Sequence, residues 1–147
     1  MRIWIATASE QLPTDSINER LLRGGLWATE LAQRGHQVTW FVDDFDHTRK
    51  RHRNIRGKYS YNNNLNIHII GGPGYNSNIG IRRLVHYTVT AKSLLATLMR
   101  EQTPPDICWA ALPPLEWADA CTKCGNRRGF PVVVDCRDLW PDHLADI

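Results

Sequence analysis

RIWIATASEQLPTDSINERLLRGGLWATELAQRGHQVTWFV, residues 2 to 42, sets two apolar runs on either side of a stretch with helical spacing. RIWIATA (2–8) reads as a buried strand, and the polar loop SEQLPTDS follows it. Leu21, Leu22, Leu26, Leu31 and Ala32 then fall on one face of a helix expected from about residue 17 to 34. Gly35 closes that helix as a C-cap, and QVTWFV (37–42) is the second strand. Two strands without polar alternation, joined through a helix, form a parallel unit whose faces are both covered.

The rest of the chain repeats the alternation. NLNIHII (64–70) is a third strand running into GGPGYNSN. Ile81, Leu84, Val85, Thr88, Ala91, Leu95 and Leu98 place an amphipathic helix over 79–101, and Pro104-Pro105 stop it. DICWAAL (106–112) is a fourth strand, EWADACTKCGNRRG (116–129) a helix, and PVVVDC (131–136) a fifth strand. The pattern predicts an α/β fold, a Rossmann-like open parallel sheet with helices on both faces. Ligands in such sheets bind beyond the carboxyl ends of the strands. SEQLPTDSINER, DDFDHTRKRHR, GGPGYNSN, LPPLE and RDLWPD each follow a strand on that side, which accounts for the charges of Arg137 and Asp138.

A length of 147 residues with 42% hydrophobic content suits one domain, or a piece of a larger one. No apolar run reaches the roughly 18–20 residues of a membrane span. Met1-Arg2 leads straight into a strand without a secretory signal, so a cytoplasmic protein is expected. Cys108, Cys121, Cys124 and Cys136 are then expected to be reduced packing residues. Cys121 and Cys124 form a C-x-x-C, but no second such pair or His pair completes a zinc site, so no metal is assigned.

The net charge of +3 is concentrated in HTRKRHRNIRGK (47–58), with six Lys or Arg and no acid, whereas the remaining 12 basic residues face 15 acids. Such a patch implies an anionic partner, and its plainer reading is a solvated loop. No G-x-G-x-x-G follows the first strand, and no P-loop, G-x-S-x-G or H-E-x-x-H occurs. Gly24-Gly25 falls about two turns inside the expected helix, where close packing is its expected use.

INERLLRGGLWATELAQRGHQVTWFV resembles the first helix and second strand of the N-terminal domain of family-4 glycosyltransferases. PVVVDCRDLWPD resembles the fifth-strand motif of a branch that builds bacterial surface polysaccharides, including O-antigen and exopolysaccharide fucosamine-type transferases. FDHTRKRHR and GPGYNSNIGIRR are similar to loops of that branch. The resemblance covers nearly the whole chain; RGH-x-V-T is common to many α/β folds, and RDLWP is the more specific element. It implies the N-terminal, acceptor-side half of a two-domain GT-B fold, incomplete at its C-terminus, with the nucleotide-sugar domain absent and the fragment alone inactive.

The implied reaction is retaining transfer of a sugar from a nucleotide-sugar to a lipid-linked saccharide, without metal or other cofactor, at the inner face of a bacterial membrane. Aligned on Arg34-Gly35-His36, the family's Gly-Gly turn falls at Ile17-Asn18, so Ser16, Asn18, Glu19 and Arg20 form the helix N-terminus facing the donor phosphates. The plainer alternative is that Ser16 or Asn18 simply caps the helix. The family's His-x-His-x-Pro is replaced by Trp109, Ala111 and Pro113, so either this branch does without the histidine or Asp138, Glu10 or His47 contacts the acceptor hydroxyl; Asp138 is the first choice as catalytic candidate, with a salt bridge to Arg137 or a helix cap as its structural alternative. Glu10, His47, Arg49, Lys50, Arg51, Arg53, Tyr75, Arg137 and Trp140 are the acceptor-side candidates, the basic ones holding a diphosphate or anionic headgroups. The rival is a non-enzymatic module that recognises an anionic ligand or nucleic acid through the 47–58 loop. Nucleic acid is not expected, since no aromatics interleave with the basic residues.

Overall fold

The computed structural model describes residues 1–16, 19–53, 55–77 and 80–137. In chain order the elements are β1 (Arg2–Thr7), α1 (Arg23–Gln33), β2 (Gln37–Asp43), β3 (Phe45–Asp46), β4 (Arg51–His52), β5 (Gly57–Ser60), β6 (Leu65–Ile70), α2 (Ile81–Arg100), β7 (Ile107–Leu112), α3 (Leu115–Arg128) and β8 (Val132–Cys136). Six strands form one sheet in the order β5-β6-β2-β1-β7-β8, with the five expected strands parallel. The sheet is mixed, however, because β5 pairs antiparallel to β6, with Tyr59 opposite Ile67. The basic stretch therefore is not one long loop: it contains β4 of the short β3–β4 hairpin and the start of β5, elements too brief and polar for periodicity to show.

The faces of β1 sort the core. Ile3 and Ile5 join Val38, Trp40, Val42, Ala28 and Ala32 under α1, whereas Trp4 and Ala6 join Phe41, Leu94, Leu98, Trp117 and Cys121 under α2 and α3. Buried indoles keep their donors satisfied: Trp40 Nε1–H donates to Thr7 Oγ1 at 2.8 Å and Trp117 Nε1–H to Thr90 Oγ1 at 2.9 Å. Cys108, Cys121 and Cys124 are free and buried in the α2–α3 core. The Cys121 thiol is pushed well up by its hydrogen bond with Cys108 and by burial.

Two helices differ from expectation in ways that matter for the site. α1 begins at Arg23, not near residue 17, so Gly24 and Gly25 lie in its first turn rather than two turns inside. Leu21 and Leu22 precede the helix, and their apolar spacing extends the helical pattern beyond the helix itself. In α2 the expected apolar face is buried only in its second half: Ala91 and Leu98 are buried and Leu95 half-buried, whereas Ile81, Leu84, Val85 and Thr88 point outward and His86, Tyr87 and Thr90 pack inward in their place.

Candidate functional site

The carboxyl ends of β1, β2, β6, β7 and β8 gather the chemically distinctive side chains, in three connected parts. At the β1–β8 side, Glu10 is buried against the start of α1. Its carboxylate accepts the N–H groups of Gly24 and Gly25, at 3.4 and 3.2 Å, and Nη1–H of Arg137 at 2.6 Å. Leu22, at the N-cap, supplies no side-chain bond, so Glu10 caps α1 from a separate loop and meets the positive end of its dipole. Only glycine permits this approach at Gly24, where a Cβ would stand 2.6 Å from Glu10 Oε2. Arg137 also bonds Asp135 at 3.2 Å and lies over Trp109, whose ring stacks on Trp27.

This arrangement corrects the expected position of the helix N-terminus. Ser16, Glu19 and Arg20 precede α1 by several residues and do not form its N-terminus. Ser16 Oγ–H instead donates to Glu19 at 2.8 Å, Glu19 pairs with Arg49, and Arg20 is exposed. The hydrogen bond from Arg49, then that from Ser16, holds the Glu19 carboxyl below its ordinary range. Asn18, also assigned there, lies outside the described residues, as do Asp138 and Trp140.

The middle part is a buried carboxylate–imidazole pair. Asp43, at the end of β2, accepts Ser9 N–H at 2.8 Å and faces His86 Nε2 at 2.9 Å. Gly74 N–H donates to His86 Nδ1 at 3.1 Å; a backbone amide can only donate, so the ring's hydrogen sits on Nε2 and points to Asp43. Ser9 holds a left-handed φ of 60°, a conformation few side-chain-bearing residues adopt. Together these bonds lock the turn after β1 and the 71–77 loop to one carboxylate. Neither Asp43, Ser9 nor His86 carries a sequence motif; the only hint is the acidic pair Asp43-Asp44 at a strand end.

The third part is a cavity of about 410 Å³ walled by Phe45, Pro73, Tyr75, Ile81 and Val85, with Lys50, His52 and Arg82 also lining it. Two acceptor-side candidates, Lys50 and Tyr75, line it, and a third, His47, contacts both. His47 Nδ1 lies 2.6 Å from the Tyr75 hydroxyl and 3.1 Å from Lys50 Nζ, and Lys50 sits over the Tyr75 ring. An ammonium only donates, so Nδ1 is the acceptor. Burial, then the charges of Lys50 and Arg83, pushes the His47 imidazole down. Burial and Tyr87 push the Tyr75 hydroxyl up, and burial with Arg83 pushes Lys50 down.

The basic loop is otherwise neutralised from elsewhere in the sequence. Arg49 pairs with Glu19 and Asp46 at 2.7 and 2.8 Å, Arg56 with Asp44 at 3.1 Å, and Lys58 with Glu101 at 3.0 Å. Arg53 is buried on Asp15. Arg49 and Arg53 thus sit in ion pairs, and Arg51, exposed on β4, is at the surface. Glu10 and Arg137 meet each other, at 2.6 Å, rather than the cavity residues.

No protein-family model matches the chain, and no curated protein matches it. Among solved structures, it is similar to a crystal structure of TcCGT1 in complex with UDP, with a TM-score of 0.53 and 14% identity. The match covers 90% of this chain and 27% of the other, so the chain spans about a quarter of that protein. At this identity the likeness shows the fold alone, a Rossmann-like GT-B half.

Proposed function

We propose that the chain is the acceptor-side half of a family-4 GT-B glycosyltransferase of the surface-polysaccharide branch. It moves a sugar, with retention, from a nucleotide-sugar to a lipid-linked saccharide at a cytoplasmic membrane face. The observation that carries the reading is the half-GT-B fold with its polar side chains gathered at the carboxyl edge of the sheet, where such folds bind ligands. The RDLWP resemblance supports the family and branch. In this reading Tyr75, His47 and Lys50 handle the acceptor, through an aromatic wall, a neutral imidazole and a cation beside one cavity. Asp138 acts on the acceptor hydroxyl, and the donor is held mainly by a second domain.

The non-enzymatic reading through the basic loop loses its footing, because four of that loop's six cations are paired with carboxylates. The longest reading frame that contains this chain should be incubated with radiolabelled UDP- and GDP-sugars and lipid-linked acceptors extracted from bacterial membranes. Incorporation of label from one donor into the lipid fraction, with retained anomeric configuration, is expected. A folded protein that incorporates from none of the donors overturns the reading.

A further inference from the structure

The first turns of α2 are inverted in polarity. His86, Tyr87 and Thr90 are buried, whereas Ile81, Leu84, Val85 and Val89 are 78%, 50%, 47% and 40% exposed. These four aliphatic residues fall at i, i+3, i+4 and i+8 and so share one outward stripe. Specific bonds fix the inversion. His86 is tied to Asp43 and Gly74, and Thr90 Oγ1 accepts Trp117 Nε1–H while donating to the His86 carbonyl. Turning the aliphatic stripe inward would take the His86 donor from Asp43 and leave the Trp117 indole N–H without its acceptor, both groups being buried.

The charge on this helix is one-sided as well. Its 20 residues include Arg82, Arg83, Lys92 and Arg100 and no acid, and Arg82, Lys92 and Arg100 are exposed. An apolar stripe flanked by cations matches the headgroup region of an anionic bilayer, where aliphatic groups enter the acyl boundary and cations meet phosphates. Nucleic acid would use the cations and leave the stripe wet. Among the described residues no helix is long and apolar enough to cross a membrane, so α2 would lie on the surface.

We propose that the outward face of α2, from Ile81 to Lys92, docks on an anionic membrane surface. Ile81, Arg82 and Val85 also line the cavity of Lys50 and Tyr75, so a lipid-linked ligand leaving the bilayer meets that cavity at the line of contact. The proposal rests on the proposed function for the identity of the membrane. It moves the contact away from the 47–58 loop, whose cations are mostly neutralised.

The test is co-sedimentation with phosphatidylglycerol-containing and pure phosphatidylcholine vesicles at near-physiological salt. Wild type should partition onto the anionic vesicles only. Leu84→Glu with Val89→Glu, both outside the cavity wall, should weaken this at least tenfold, and Arg82→Glu with Lys92→Glu should weaken it by about fivefold or more per residue. Leu26→Glu, on the exposed face of α1, should bind like wild type. Leu84→Ser serves as a milder second variant if the double glutamate fails to fold.

No binding to anionic vesicles, or equal loss in the α1 variant, overturns the proposal. So does a dimer in sedimentation that the α2 variant converts to monomer, which would make this face a contact between copies. Transfer measured on detergent-dispersed acceptor separates the two readings. Lost vesicle binding with transfer intact is the expected behaviour of the Leu84→Glu, Val89→Glu variant; vesicle binding by a wild type that transfers no sugar would leave this surface standing and remove the enzyme.

Discussion

Arg53→Met should destabilise the protein far more than its place in a basic loop suggests. The guanidinium side chain is 7% exposed and its partner Asp15 9%. Nε and Nη2 both donate to Asp15 at 2.7 Å, Nη1 donates to the Asp43 carbonyl at 2.9 Å, and Nη2 to the Glu10 carbonyl at 2.8 Å. Methionine keeps much of the volume but leaves a buried carboxylate and two carbonyls without that donor. Removing one member of a buried ion pair costs about 3–5 kcal/mol, a large part of the ~5–15 kcal/mol a domain possesses. For a chain of this size each kcal/mol moves Tm by roughly 2–4 °C, so a drop of roughly 6–20 °C is expected. Arg51→Met, exposed on β4, should stay within about 0.5 kcal/mol of wild type. Urea denaturation followed by tryptophan fluorescence measures both, and adding Asp15→Asn to Arg53→Met should recover part of the loss by removing the orphaned charge. An Arg53→Met protein as stable as the Arg51 variant would refute the structural assignment and return Arg53 to the ligand-binding set.

Gly24→Ala should destabilise by about 1–3 kcal/mol, since the new methyl would meet Thr7 Cγ2 at 2.5 Å and Glu10 Oε2 at 2.6 Å. Helix propensity alone would favour alanine by up to about 1 kcal/mol, so a rise in Tm would show that Glu10 is not seated on the helix. Acidification should weaken the fold through His47 and His68, both held below the ordinary imidazole value of 6.5, chiefly by burial. The folded state then binds fewer protons than the unfolded one, so this contribution is complete above pH 6.5 and is lost as pH falls from there through the depressed folded values. Urea midpoints should be lower at pH 5.5 than at 7.5, less so in His47→Gln, and a midpoint that rises on acidification contradicts the sign.

The parallel strands were legible because each is an apolar run with no polar alternation, a property of the run itself. The ends and faces of helices were not, because they depend on distant groups. Leu21 and Leu22 extend the helical spacing ahead of α1, but the helix starts where Glu10 can cap Gly24 and Gly25, a contact across 14 and 15 positions. Ile81, Leu84 and Val85 look like a core stripe until Asp43, 43 positions away from His86, claims the other face. The basic loop looked free because its acids come from Asp15, Glu19, Asp44 and Glu101, most of them outside its own sequence window. The cluster of His47, Lys50 and Tyr75 was named from the sequence, but its convergence depends on Ser9, Gly74 and His86, which no local pattern marks.

β1 sits between β2 and β7, and that central seat governs the order in which the chain can assemble. As the polypeptide emerges during synthesis, β1, β2 and β6 can pair early, since each follows within a few dozen residues of the last. The other edge of β1 finds its match only when β7 appears about a hundred residues later, as in the pairing of Ile3 with Ile107 and the bond from Arg2 N–H to Asp106. Until then a nascent half-sheet exposes one row of unpaired amides and one face of Trp4 and Ala6 awaiting α2 and α3. Such a state is slow to complete and prone to join a neighbouring nascent chain. Expression at reduced temperature, or with chaperones that hold open sheet edges, should therefore raise soluble yield more than any substitution at the finished surface.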